Sequence, residues 1–187
     1  MENVMVYKLK VAGIERDLTL CPISDELNIA AFVLFGDVEL TVKCAEALYE
    51  RAPEHDVMIT AESKGIPLIH EMCRLSGRNR YVLARKSVKL YMKDVVACET
   101  KSITTGAVQT LYIDGDDAEY LKGKRVLIVD DVISTGGSLR SLENLVLQSG
   151  GEIVGKMAIL AEGDAIKRSD IICLAPLPLF DKNGKEI

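Results

Sequence analysis

Val126-Leu127-Ile128-Val129-Asp130-Asp131-Val132-Ile133-Ser134-Thr135-Gly136-Gly137-Ser138-Leu139 is the stretch on which the fold turns. Its first four residues are all β-branched or large aliphatic, which suits a strand covered on both faces and therefore central in a sheet. Beyond the turn, Leu139, Leu142, Leu145 and Val146 recur at helical spacing, while Arg140, Glu143, Asn144 and Gln148 fall elsewhere around the helix. Gly150-Gly151 then ends that helix. A buried strand feeding a helix is the repeating unit of a sheet covered by helices.

Working outward, Glu152 to Ala161 supplies a further strand, and Ile171 to Leu174 another. Upstream, Val57 to Ala61 reads as a buried strand, followed by a turn at Gly65-Ile66-Pro67 and a helix through about Leu75. Arg80 to Arg85 is a second strand, and a first helix spans Val38 to Arg51. This order predicts an α/β fold with a mainly parallel central sheet flanked by helices. The segment up to about Leu34 alternates in the manner of β-strands, with a turn at Cys21-Pro22, and reads as a small attached subdomain. Between Lys86 and Thr110 the pattern turns polar and mixed, and a connection of that length suggests a lid.

Composition narrows the function. With 187 residues, 48% of them hydrophobic, the chain suits one compact domain. A formal charge of −5 with scattered basic residues argues against a nucleic-acid partner. The N-terminus lacks the basic and then apolar pattern of a secretion signal, and no apolar run approaches the roughly 20 residues that span a bilayer. The expectation is a soluble, cytoplasmic protein with no membrane partner. Cys21, Cys44, Cys73, Cys98 and Cys173 are odd in number and far apart, and only His55 and His70 could join them, which argues against a zinc site. Most should behave as small buried hydrophobes, and Cys73 receives no catalytic role.

The chemistry concentrates after the central strand. The turn Ser134-Thr135-Gly136-Gly137-Ser138 is an anion cradle: glycines admit close approach of backbone N–H groups, three hydroxyls add donors, and the next helix N-terminus adds partial positive charge. Asp130 and Asp131, adjacent acids at the mouth of an apolar strand, cost desolvation and mutual repulsion, a cost that makes sense if they bind hydroxyls or a cation. Capping alone would explain the Ser and Gly residues but not the acid pair. A ribose carrying a 5′-phosphate presents both needs.

This stretch closely resembles the phosphoribosyl pyrophosphate (PRPP) signature of type I phosphoribosyltransferases, and differs from a Walker loop in lacking a terminal Gly-Lys-Ser or Gly-Lys-Thr. The resemblance implies the type I fold, one domain over 1–187, with 1–36 and about 163–187 contributing to a hood. It implies that Asp130 and Asp131 hold the ribose 2′ and 3′ hydroxyls. Val132, Ile133, Ser134, Thr135, Gly136, Gly137 and Ser138 would complete the PRPP site, Ser134 to Ser138 around the 5′-phosphate.

Two further stretches join it. Ala61 to Pro67, with Glu62, Ser63, Lys64 and Gly65, follows a strand and opens a helix; taken alone a plain strand-to-helix turn fits it as well, and the resemblance makes it the pyrophosphate loop. Leu83 to Leu90 is similar to the Arg-Lys…Lys-Leu stretch of adenine-type enzymes and their xanthine and hypoxanthine-guanine relatives. Arg85, Lys86 and Lys89 would then offset the charge of departing pyrophosphate, whereas alone they read as solvated cations. On this reading Asp130, Asp131, Arg85 and Lys89 are the catalytic residues.

The resemblance further implies a purine phosphoribosyltransferase of the adenine-like branch, with PRPP and a purine base as partners, magnesium held mainly through PRPP and water, and a homodimer. Two departures bear on the base. Ser134 stands where eukaryotic-type hypoxanthine-guanine enzymes carry an acid, and the adenine-type Tyr-Glu pair is missing from the region around Thr100 to Gly106, where only Glu99 lies near. Adenine, xanthine and hypoxanthine or guanine therefore stay open as the base, as does orotate. A PRPP-sensing regulator is the alternative of another class, disfavoured because no spare DNA-binding segment is present.

Overall fold

The computed structural model describes residues 5–101 and 108–187. Strand β1 (Val6–Val11) and strand β2 (Ile14–Pro22) make a hairpin whose two turn residues, Ala12 and Gly13, have positive φ of 50° and 77°. A two-residue turn needs that left-handed pair to match the strand twist. Strand β3 (Leu27–Ala30) adds antiparallel to β2. The expected turn at Cys21-Pro22 is displaced: both residues finish β2, and the chain bends over 23–26, where Ile23 N and Ser24 N donate to Leu27 O at 2.9 and 3.2 Å. Proline is tolerated at a strand end, so its presence there did not mark the turn itself.

Helix α1 (Val38–Tyr49) is capped by Asp37, whose carboxylate accepts from Leu40 N at 3.0 Å. It stops two residues short of the expected Arg51, ahead of Ala52-Pro53, where proline disfavours helical geometry in its predecessor. There follow β4 (Val57–Ala61), buried at all five positions, α2 (Ile66–Leu75) and β5 (Val82–Ala84). The last is shorter than the expected Arg80–Arg85. Next come β6 (Val96–Lys101), β7 (Val108–Ile113), α3 (Gly115–Leu121), β8 (Arg125–Ile133), α4 (Gly137–Gln148) and β9 (Glu152–Glu162). A 3-10 turn at Gly163–Lys167 leads to β10 (Ile172–Leu177) and β11 (Leu179–Asp181).

The main sheet is five-stranded in the order β10-β9-β8-β4-β5, every neighbouring pair parallel, with β8 in the middle. Alternate residues of β8 feed two cores. Leu127 and Val129 pack with α1, α2 and the β1–β3 strands; Val126 and Ile128 pack with Leu139, Leu142, Leu145 and Val146 of α4. That two-sided cover is what the unbroken aliphatic run predicts.

The polar stretch after Lys86 is not a bare connection. Strands β6 and β7 pair antiparallel in register Val96↔Ile113 to Lys101↔Val108, and Cys98, Leu111 and Ile113 are buried in the α4-side core. The core-facing alternation is short, Val96 and Cys98 in β6 and Leu111 and Ile113 in β7, and gives way to Thr100 and Gln109 towards the other end of the pair. The tip, with Thr104 to Gly106, lies outside the described residues. A separate antiparallel sheet, β1-β2-β3-β11, joins the two ends of the chain, because Leu179–Asp181 pairs with Leu27–Ile29.

Candidate functional site

The strand order reverses direction between β4 and β8: the chain runs outward from β4 to β5 on one side and from β8 to β10 on the other. At such a switch point the loops after neighbouring strands part, leaving a crevice at the carboxyl ends that suits a ligand. Asp130 and Asp131 lie near the end of β8 at 7% and 4% exposure. Across the crevice, Ser63 Oγ, just after β4, donates to Asp130 Oδ1 at 3.1 Å. The same hydroxyl accepts from Gly65 N at 3.2 Å, and Asp130 Oδ1 also accepts from Asp131 N at 2.9 Å.

Gly65 has to be a glycine for reasons of space. A Cβ there would stand 3.0 Å from Thr60 Oγ1, 3.1 Å from Asp130 Oδ1 and 3.3 Å from Asp130 Cα. The two loops are therefore packed backbone to carboxylate. Burial first, and the charge of Asp131 second, push the Asp130 carboxyl up to about 7. Asp131 Oδ2 is buried and accepts no hydrogen bond, although Lys64 Nζ lies 3.5 Å away. Lys64 Nζ donates instead to Phe32 O at 2.6 Å. The pair is thus a partly satisfied acceptor set facing the crevice.

Beyond the acids, β8 continues through Val132 and Ile133, and the chain turns into α4 at Gly136, which has φ 77° and no side-chain cap. A glycine in this left-handed conformation offers no capping side chain of its own to the first turn of α4. Asp130 and every residue from Val132 to Leu139 line a small pocket of about 140 Å³. Ile133 is itself buried in the α4-side core at 3% exposure.

The second and third stretches meet each other as well. Glu62 N donates to Ala84 O at 2.7 Å, Lys86 N donates to Glu62 Oε2 at 2.9 Å, and Arg85 Nη2 lies 3.2 Å from Glu62 Oε1. The Lys86 amide and then Arg85, Lys89 and Lys86 charges hold the Glu62 carboxyl below its usual range. The Glu62 carboxylate is therefore occupied in positioning the 85–89 segment. Arg85 Nε is buried without a hydrogen-bond partner, and Arg85 also bridges Tyr112 of β7 through backbone bonds of 2.7 and 2.9 Å. Lys89 Nζ donates to Ser87 Oγ at 2.6 Å. Thus Glu62 to Gly65, Arg85 to Lys89 and Asp130 to Ser138 all gather at the carboxyl end of the sheet.

Sequence reasoning missed Glu162, the last residue of β9. Burial raises its carboxyl while Lys64, its charged neighbour, lowers it. An acid closing the apolar run Met157 to Ala161, in the strand next to Asp130's, was the available signal. It also missed the Phe32 carbonyl, which nothing local announces.

A family model described as "Phosphoribosyl transferase domain" matches residues 39–175. The chain is 32% identical over 146 residues to the hypoxanthine/guanine phosphoribosyltransferase of Methanotorris igneus, covering 78% of this chain and 73% of that one. It is 39% identical over 139 residues to the adenine phosphoribosyltransferase of Thermotoga sp. strain RQ2, covering 70% and 78%. The crystal structure of adenine phosphoribosyltransferase from Rhodothermus marinus superposes with a TM-score of 0.65 at 23% identity, covering 92% of this chain and 94% of that one, and shares the fold.

Proposed function

The chain belongs to the phosphoribosyl transferase domain family, and on that premise we propose that it is a purine phosphoribosyltransferase, transferring the phosphoribosyl group of PRPP to a free purine base. One observation carries the reading: a buried, incompletely satisfied acid pair, Asp130 and Asp131, leads directly into a glycine turn that opens the α4 N-terminus. Acceptors for sugar hydroxyls and donors for a sugar phosphate then stand one turn of chain apart, as a ribose 5-phosphate requires.

In the reaction the bond from C1′ to the pyrophosphate oxygen breaks, a bond from C1′ to purine N9 forms, and the N–H proton of the base passes to the released pyrophosphate or to solvent. Asp130 and Asp131 orient the ribose through its hydroxyls, and Ser134 to Ser138 anchor the 5′-phosphate, so C1′ is held between base and leaving group. Lys64 neutralises the acid pair in the unliganded chain. Once hydroxyls occupy those carboxylates, Lys64 joins Arg85, Lys86 and Lys89 on the departing pyrophosphate, where charge grows in the transition state. Glu62 keeps Arg85 and the Lys86 amide in register for that task.

Magnesium fits this site as a ligand-borne ion: the unpartnered Asp131 Oδ2 and the neighbouring Asp130 carboxylate suit sugar hydroxyls that a cation polarises. It would supply charge neutralisation on pyrophosphate, and the remaining ligands would be PRPP oxygens and water. We propose that the β6–β7 hairpin, joined to Arg85 through Tyr112, covers the site and keeps water from C1′. The β1-β2-β3-β11 sheet would form the hood over the base.

Adenine is the base we propose first, supported by the Thermotoga relative, with hypoxanthine or guanine as the alternative supported by the Methanotorris one. We propose a cytoplasmic setting; among the described residues no helix is long and apolar enough to cross a membrane. We also propose a homodimer, which would cover the exposed Leu90 and Tyr91. The test is incubation with PRPP, magnesium and adenine, hypoxanthine, guanine, xanthine or orotate in turn. Nucleotide and pyrophosphate should appear with a purine. PRPP binding without turnover on any base would make the chain a sensor and overturn the reading.

A further inference from the structure

The turn Ser134 to Ser138 supplies hydroxyls and amides but no cation. A sugar phosphate near neutral pH carries close to two negative charges, which helix and amide dipoles balance only in part. One cation from elsewhere in the fold stands beside that turn. Arg168 follows the 3-10 turn after β9, and its Nη1 lies 3.1 Å from where a Cβ on Gly136 would be.

The orientation of this guanidinium is fixed. Arg168 Nε and Nη2 donate to Asp170 Oδ1 and Oδ2 at 2.9 and 2.7 Å, a two-pronged contact that leaves Nη1 as the edge turned to the glycine turn. Asp170 is held in turn by Lys156 Nζ at 2.7 Å, and Lys156 by Glu143 at 2.6 Å. Glu143 belongs to α4, the helix whose N-terminus forms the cradle. The relay therefore locks Arg168 onto the same rigid body that carries the phosphate site. Exposed ion pairs add little stability, and the Arg168 side chain is 32% exposed, so stabilising the fold is a poor explanation for so ordered a fork.

We infer that Arg168 is a phosphate-positioning residue: its Nη1 edge supplies the cationic contact for the sugar 5′-phosphate that the signature turn lacks, and Asp170 aims it. This rests on the phosphoribosyl reading above and adds a residue from outside the signature. It also gives Gly136 a second reason to be glycine, since any side chain there would displace the guanidinium.

The experiment measures binding of ribose 5-phosphate, and separately of pyrophosphate, to the wild-type chain, Arg168→Gln, Arg168→Lys and Arg168→Ala by calorimetry at low and high salt. Arg168→Gln should bind ribose 5-phosphate about tenfold more weakly, the loss of one charge-assisted contact, with a shallower salt dependence. Pyrophosphate affinity and melting temperature should stay as in wild type. Arg168→Lys should recover part of the loss, and added guanidinium ion should recover part of it in Arg168→Ala. Equal binding by wild type and Arg168→Gln would overturn the inference, and so would an equal weakening of both ligands, which marks a general structural effect. A wild-type chain that fails to bind ribose 5-phosphate at all would instead sink the phosphoribosyl reading itself.

Discussion

Replacing Asp130 by Asn should make the unliganded protein more stable while abolishing its grip on the sugar. Asp130 is 7% exposed, and its carboxyl sits at about 7 against an ordinary 3.8, first because of burial and then because of Asp131. A raised carboxyl favours the protonated form in the folded state, so its contribution to stability is present below about 3.8 and is lost as pH rises through about 7. Full ionisation across that gap would cost on the order of 4 kcal/mol, and recovering even half of it is about 2 kcal/mol. The Asn Oδ1 can still accept from Ser63 Oγ and Asp131 N, while its amide N–H can donate to the Asp131 carboxylate. For a chain of this size about 2 kcal/mol is a rise of roughly 4 to 8 °C in Tm. Thermal melts of both proteins at pH 4 and pH 8 read the effect: the gap should be largest at pH 8 and close towards pH 4. A variant less stable than wild type at pH 8, or a gap independent of pH, would refute the reasoning. Titration with ribose 5-phosphate should show the accompanying loss of binding.

Two other substitutions test the packing of the site. Gly65→Ala places a methyl 3.3 Å from the backbone Cα of Asp130, which a central strand cannot move aside, and Gly65 is the N-cap of α2, where Gly is itself preferred to Ala. The expected result is a net loss of stability and at least about tenfold weaker ribose 5-phosphate binding, because the carboxylate is displaced. Gly136 and Gly137 should part company despite being neighbours. Gly136→Ala forces a left-handed φ of 77° on a residue with a Cβ and should cost about 1 kcal/mol in chemical denaturation. Gly137→Ala meets nothing within 4 Å at ordinary φ and should be neutral or stabilising by a few tenths of a kcal/mol.

The two glycines show the limit of reading a motif as letters. Both read as sites of close approach; within the protein a Cβ would meet the Arg168 guanidinium at Gly136, while at Gly137 it would meet open space in the pocket that the phosphate is proposed to enter. The mixed segment after Lys86, proposed above as a cover for the site, contains paired strands packed on α4 that its sequence does not announce. The alternation that buries Cys98, Leu111 and Ile113 covers only two residues in each strand, too few for a periodic pattern. Helix α3 escaped notice because its seven residues are too few for a periodic pattern, although Asp114 caps it by accepting from Asp116 N.

Sequence by itself determined the central strand, the glycine turn, the helix after it and hence the acid pair beside an anion cradle. Those features are local: consecutive aliphatic residues, helical spacing and φ-permissive glycines act within a few residues of chain. Tertiary structure alone decided that Ser63 meets Asp130, that Glu62 holds Arg85, that Lys64 turns inward to Phe32 O, and that Arg168 stands beside Gly136. Each of those partners is separated by many residues, except Glu62 and the segment it steadies only through a parallel crossover. Such contacts arise from strand order and register, which pair residues by position in the sheet and leave no mark on the neighbouring letters.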